Sequence, residues 1–243
     1  MHTPSSKKRV GVLVSGKGSN LQALIDACTD PLFPVSIGCV ISNVASAYAL
    51  ERAQRAHIPS YTISQKEFSS RDAWESAITD TLHRHQTHIV CLAGFMRILS
   101  EGFIRSWPDC ILNIHPSLLP AFKGLRTHER ALQAGVRIHG CTVHMVRPQL
   151  DEGPILGQAA VPVWNRDTPE SLACRVLDQE HRLYPDILRL FAQGCFHLEG
   201  ERAVLDPAGI GSENGPQNSS RLVTCIPSES TDTQEGLCRI RSA

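Results

Sequence analysis

No charge of one sign dominates this chain. Lys plus Arg and Asp plus Glu stand at 24 each in 243 residues, so there is no global field to hold a polyanion, and a role on nucleic acid or a membrane surface loses its main support. Any basic ligand-binding patch must be local. Long apolar runs are missing as well. No window reaches transmembrane length, and Gly11 to Val14 is too short to be a signal peptide's core behind the basic residues of Met1 to Arg9. The expectation is a soluble, cytoplasmic protein. Paired cysteines are absent too: the nine cysteines are scattered with no CxxC pair, and an odd number argues against a closed disulfide framework. Most lie inside apolar runs such as HIVCLAG and GCTVHMV, where a reduced cysteine behaves as a small hydrophobe. With no GxSxG elbow, no HExxH pair and no cysteine beside a partner, hydrolysis through a protein nucleophile or a metal has no signature, and no metal is expected.

What is present is a hydrophobic content of 42%, enough at this length for a full core in one large or two small domains. KKRVGVLVSGKGSNLQALIDAC reads as strand, Gly-Ser loop and helix, with Leu21, Leu24 and Ile25 at helical spacing. The alternation repeats in VSIGCVIS and ASAYALERAQRAH, in SYTIS and SRDAWESAITDTLHRH, and in HIVCLAG and SEGFIRSW, with CILNIHP as the next strand. This predicts an α/β protein of parallel strands joined by helical crossovers. GCTVHMVRP and PILGQAAVPV read as two more strands, the second with prolines that favour an edge. A long amphipathic helix follows, started by Thr168 to Ser171 and stopped by Gly194. His83, His85 and His88 end an earlier surface helix and suit its dipole. FHLEGERAVL suits a terminal hairpin. From about Pro207 the composition shifts to Ser, Gly, Pro, Asn and Thr, which cannot bury enough apolar surface to order itself. The expected organisation is a domain over 1–206 and a flexible tail over 207–243. The edge strand could be covered by a loop or by another subunit, so monomer and homodimer both stay open.

Two polar stretches interrupt this pattern. SGKGSN, Ser15 to Asn20, follows a strand and opens a helix, so backbone N–H groups and the positive helix end converge on one spot suited to a phosphate; the alternative is a tight turn only. Gly16 and Gly18 begin a GxGxxG, but Leu21 stands where the third glycine belongs, and the dinucleotide fingerprint fails. In ILNIHPSLLP, Asn113 and His115 occupy a buried-strand pattern just before a proline-stiffened loop. In an open parallel sheet strand ends face the ligand crevice, and alternation sets these two residues on one face. An Asn amide can donate to a developing oxyanion, and an imidazolium can do so and also exchange a proton near neutral pH. A lone strand-end histidine is more often a satisfied structural residue. A third group to hold the imidazole is offered by Asp151 or Glu152 in QLDEGPI. Together they suit direct acyl transfer to a bound amine.

At these residues the chain resembles the phosphoribosylglycinamide formyltransferase family, folate-dependent enzymes of purine synthesis. VLVSGKGSNLQALIDA, VCLAGFMRILS, LNIHPSLLPAFKG and VRPQLDEGPILGQAAVPV carry the likeness, which runs from about Val10 to Gly200. It implies a Rossmann-like formyltransferase fold, an open, mostly parallel twisted sheet with helices on both faces. It further implies N10-formyltetrahydrofolate as formyl donor and glycinamide ribonucleotide as acceptor, with no nucleic acid or membrane partner. By matching motif, Asn113, His115 and Asp151 take the catalytic places. Gly18, Ser19 and Asn20 match the segment that holds the acceptor's phosphate and ribose, and Glu180 matches a carboxylate near its amine. Arg71, Met96, Arg97, Ile98, Leu99 and Asn113 match positions around the folate. The chain departs from the pattern in LLPAFKGLRTH: Ala121 stands directly after the proline, the basic residue falls at Lys123, and Arg126 stands where relatives often carry His. A related enzyme acting on aminoacyl-tRNA would need a further basic domain, and a hydrolase of the same folate would need neither phosphate loop nor Glu180.

Overall fold

The computed structural model describes residues 7–206; the tail expected over 207–243, with Cys225 and Cys238, lies outside the described residues. Strands β1 (Lys8–Val14), β2 (Val35–Ser42), β3 (Ser60–Thr62), β4 (Ile89–Leu92), β5 (Ile111–His115), β6 (Ile138–Met145) and β7 (Ile155–Pro162) form one sheet in the order β3-β2-β1-β4-β5-β6-β7. The first five are parallel, and β6 and β7 continue the sheet antiparallel. Helices α1 (Ser19–Cys28), α2 (Tyr48–Arg55), α3 (Arg71–Arg84), α4 (Glu101–Ser106), α5 (Thr127–Gln133) and α6 (Pro169–Ala192) cover it. The chain starts mid-sheet, runs outward to β3, then returns to the other side of β1 as β4. That reversal sets the loops after β1 and β4 side by side with a crevice between them.

β1 is apolar at consecutive positions because both its faces are covered. Val10, Val12 and Val14 join Leu24, Leu172, Val176 and Tyr184 under α1 and α6, while Leu13 joins Trp74, Ile78, Leu82 and Phe103 under α3 and α4. Each such side chain taken fully out of water stabilises the fold by about 1.5–3 kcal/mol. The cysteines fit the same account: burial pushes the Cys39 thiol up to about 11 and the Cys91 thiol up to about 12.

Helix α6 begins with a reciprocal cap, in which Thr168 Oγ1 accepts the Ser171 N–H and Ser171 Oγ accepts the Thr168 N–H, with Pro169 in the first turn. Gly194 follows its end with a left-handed φ of 75°. Pro185 sits inside the helix and removes one N–H from the ladder. Its neighbour Tyr184, fully buried, shares its hydroxyl hydrogen between the carbonyls of Leu92 and Leu112 at 3.1 and 3.0 Å, tying α6 to β4 and β5.

The predicted hairpin is present as β8 (Phe196–Glu199) and β9 (Arg202–Leu205), and β7 is the sheet's edge. Helix α5 was not predicted. It is short, and its N-cap Arg126 has a left-handed φ of 52° with no side-chain cap, so the usual start signal is missing. The histidines expected to end α3 need one correction: His83 lies in its last turn and His85 is its C-cap, but His88 does not end it. His85 pairs with the Tyr61 hydroxyl at 2.8 Å, and burial, then Arg9 and Arg84, lower its pKa. His88 lies beyond the helix, where its Nδ1 accepts the Arg9 N–H at 3.1 Å. Among the described residues no helix is long and apolar enough to cross a membrane, and no group of three His, Cys, Asp or Glu is placed to hold a metal ion.

Candidate active site

β5 delivers Asn113 and His115, two residues apart and so on one face, to the end of the sheet. β6 runs antiparallel beside it, and the register sets His144 opposite Asn113. His144 Nδ1 donates to the Met145 carbonyl at 2.8 Å, which leaves Nε2 bare to accept from Asn113 Nδ2 at 3.1 Å. Burial lowers the His144 pKa, in keeping with a neutral ring. One amide hydrogen of Asn113 is thereby fixed, and the second is left for another acceptor.

Asp151 comes from the turn between β6 and β7, with a positive φ of 55°. Its carboxylate lies 3.5 Å from His115 Nδ1 and 3.8 Å from His144 Nε2, and it accepts the Gly124 N–H at 2.8 Å. Glu152, the other candidate, is turned to solvent and pairs with Lys123 at 2.7 Å. The fold therefore brings Asp151, and not Glu152, to the imidazole. On the opposite side His115 Nε2 donates to the Phe122 carbonyl at 3.1 Å. The side chains of His115 and Asp151 are each 7% exposed, and a buried polar group left unpaired costs about 1–3 kcal/mol, which is why these four side chains form one connected set.

The switch-point crevice is the second part of the site. Residues 15–20 after β1 and Ala93, Gly94 and Met96 after β4 line a cleft of about 240 Å³. Gly18 caps α1 with φ 71°, and a Cβ there would lie 2.8 Å from Ala49 Cα, so contact with α2 demands the glycine. Gly16 faces open space. Buried Asn20 donates through Nδ2 to Glu180 Oε2 at 2.7 Å, while its Oδ1 has no partner among the described residues. Burial raises the Glu180 pKa, with the Asn20 amide acting against it.

The segment expected around the folate is anchored at its far end. Arg71 donates to Glu75 at 3.1 Å and to the Ile98 carbonyl at 2.5 Å, and buried Glu75 also accepts the Ser100 N–H at 2.8 Å and the Ser100 hydroxyl. Met96, Arg97 and Ile98 are exposed beside the cleft. Leu99 differs, because its side chain is buried in the core cluster under α3 and α4.

Residues 8–188 match the formyl transferase family, a span that takes in every expected site residue from Gly18 to Glu180. The chain belongs to that family. It is 43% identical over 199 residues to the phosphoribosylglycinamide formyltransferase of Haemophilus influenzae, covering 82% of this chain and 94% of that one. Over 192 residues it is 50% identical to the trifunctional purine biosynthetic protein adenosine-3 of Bos taurus, covering 79% of this chain but 19% of that much longer protein. The crystal structure of glycinamide ribonucleotide transformylase 1 from Symbiobacterium toebii matches with a TM-score of 0.82 at 45% identity, over 84% of this chain and 97% of that one.

Within this formyl transferase the departures noted in the sequence fall on the loop that carries Phe122. The Ala121 carbonyl accepts the Ser117 hydroxyl at 2.6 Å, Lys123 is engaged by Glu152, and Arg126 is exposed, 4.0 Å from Glu129. Two residues joined to the site went unread. Glu75 is one polar residue among many on α3, and only its burial marks it. His144 alternates in step with Thr142 along GCTVHMV, but the register that puts it beside Asn113 is written in neither strand.

Proposed function

We propose that the chain transfers the formyl group of N10-formyltetrahydrofolate to the amine of glycinamide ribonucleotide. The observation that carries this reading is the convergence of Asn113, His115 and Asp151 at the end of β5, next to a cleft floored by a helix N-terminus. In this reading the acceptor's phosphate lies against the backbone N–H groups of Gly18, Ser19 and Asn20, with Asn20 and Glu180 toward its amine. The folate lies along Met96, Arg97 and Ile98, shaped by Arg71 and supported from the core by Leu99. Everything used lies at or before Glu180, so the working domain ends before residue 207, and a cytoplasmic setting suits it.

The amine, with an ordinary pKa of about 8, loses its ammonium proton and attacks the formyl carbon. A tetrahedral intermediate with a charged oxygen results. The second amide hydrogen of Asn113 and the Nε2–H of His115 stabilise that oxygen, the imidazole exchanging the Phe122 carbonyl for it. Asp151 holds the ring through Nδ1 and, directly or through a water, relays the amine's proton to the folate nitrogen as the bond from carbon to that nitrogen breaks. The scheme uses no metal and no covalent enzyme intermediate.

Incubation with formyl-folate, with and without glycinamide ribonucleotide, tests it. Loss of the formyl group only when the ribonucleotide is present, with one formylated product per folate released, is the expected result. Loss at the same rate without it makes water the acceptor and the chain a hydrolase. Retention of the formyl group in both tubes sinks the reading.

A further inference from the structure

The loops after β1, β2 and β4 meet at one hydroxyl. Ser15 Oγ donates to Asn43 Oδ1 at 2.6 Å and accepts the Met96 N–H at 2.8 Å. Asn43, at the end of β2, is buried. A serine hydroxyl has one hydrogen, and with that hydrogen committed to Asn43 its lone pairs are turned to the Met96 N–H. Ser15 heads the glycine loop on one wall of the cleft, and Met96 belongs to the opposite wall. Met96 is 65% exposed, so packing does not hold it. The far end of its segment is held separately, by Arg71 on the Ile98 carbonyl and by buried Glu75 on Ser100. The segment is thus clamped at one end by a buried carboxylate; toward the other, Phe95 stacks on Trp74 at 6.4 Å, and the Met96 N–H is held by a hydroxyl that belongs to the facing loop.

We infer that Ser15 is a positioning residue that couples the two substrate sites: it moves with the loop facing the acceptor's phosphate and sets the backbone that faces the folate. The inference rests on the function proposed above. An acceptor that draws the glycine loop's N–H groups toward its phosphate shifts Ser15 Oγ, and with it the Met96 N–H. Because binding free energies are linked, the folate must act back on the acceptor's affinity by the same factor.

Calorimetric titrations of the full chain with tetrahydrofolate and glycinamide ribonucleotide, a pair that cannot react, test this. Saturating ribonucleotide should change the tetrahydrofolate Kd by about fivefold or more, and the reciprocal titration should give the same factor. Ser15→Ala should bring both factors to within about twofold of unity, lower the melting temperature by only a few degrees for the loss of the bond to Asn43, and raise the formyl-folate KM by about fivefold with kcat little altered. Ser15→Thr, which keeps the hydroxyl, should restore the coupling, and Asn43→Ala, which frees the hydroxyl's hydrogen, should weaken it. Unaltered coupling in Ser15→Ala, or no coupling in a wild-type chain that binds both ligands and turns over, overturns the inference. A wild-type chain that binds neither ligand fails the functional reading first and takes the coupling with it.

Discussion

Where β5 meets β6, the polar side chains of the site are buried or half-buried and hold one another: Asn113 donates to His144, His144 to the Met145 carbonyl, His115 lies beside Asp151 and donates to the Phe122 carbonyl, and Asp151 accepts the Gly124 N–H. Where β1 meets β4, the cleft is lined by a glycine-rich backbone and exposed side chains, and the buried Asn20 Oδ1 still lacks a partner among the described residues. The first region is largely held in place by its own hydrogen bonds, and the second is open to solvent. Groups already aimed by their neighbours need little reorganisation to stabilise a transition state, whereas open backbone donors contribute affinity. Substitutions in the first region should therefore appear in kcat, and those in the second in KM.

The largest expected effect is at His115. His115→Asn should keep the fold and both KM values while kcat falls by about 100-fold or more; near-normal turnover, with circular dichroism confirming the fold, would end its assignment as an oxyanion donor. His144 sharpens the comparison because its one hydrogen bond to the proposed trio is the one it accepts from Asn113. His144→Leu should lower kcat by about tenfold with little change in either KM, and His144→Gln, whose carbonyl can accept the same amide hydrogen, should recover part of that loss. Equal rises in both KM values for His144→Leu would show instead that the whole pocket had shifted.

In the open region the two glycines should separate stability from binding. Gly18→Ala meets Ala49 and keeps a positive φ, so it should destabilise the fold by about 1–3 kcal/mol, read as a lower melting temperature. Gly16→Val has open space and should change stability by no more than about 0.5 kcal/mol while raising the acceptor's KM several-fold more than the folate's. A Gly16→Val enzyme with unchanged acceptor KM would remove the loop from the binding site.

The smallest effect lies behind the first region. Buried His139 packs edge-on to His128 at 5.3 Å, and burial, then the charge of His128, lowers its pKa from 6.5 to about 4. Between those values the unfolded chain binds more protons than the folded one, so stability rises with pH through this window and is lost as pH falls toward about 4. His139→Gln should flatten that acid limb of the melting curve and leave the neutral end nearly unaltered; an unchanged limb would place the titration elsewhere.

Much of the open region was legible. β1, the glycine loop and α1 follow from an apolar run, a Gly-Ser break and a helical repeat that are contiguous in the chain, and the parallel order follows from the repetition of that unit. The buried region was legible only in part. Asn113 and His115 declare themselves as polar residues in an apolar strand, but the groups that hold them come from 144, 151 and 122, and those distances along the chain carry no local signal. Leu99 was read with its exposed neighbours because its motif is continuous, although its side chain turns into the core.

By itself the sequence determined the kind and order of the elements from β1 to β5, the reciprocal cap of α6 and the single face shared by Asn113 and His115, because each depends on spacing within one segment. Only the tertiary structure decided that β6 returns antiparallel with His144 opposite Asn113, that the turn after it aims Asp151 at His115 and Glu152 at Lys123, and that Ser15 reaches across to Met96. The reason is that strand register and loop-to-loop contact are properties of pairs of segments distant in the chain, settled when the core closes around them.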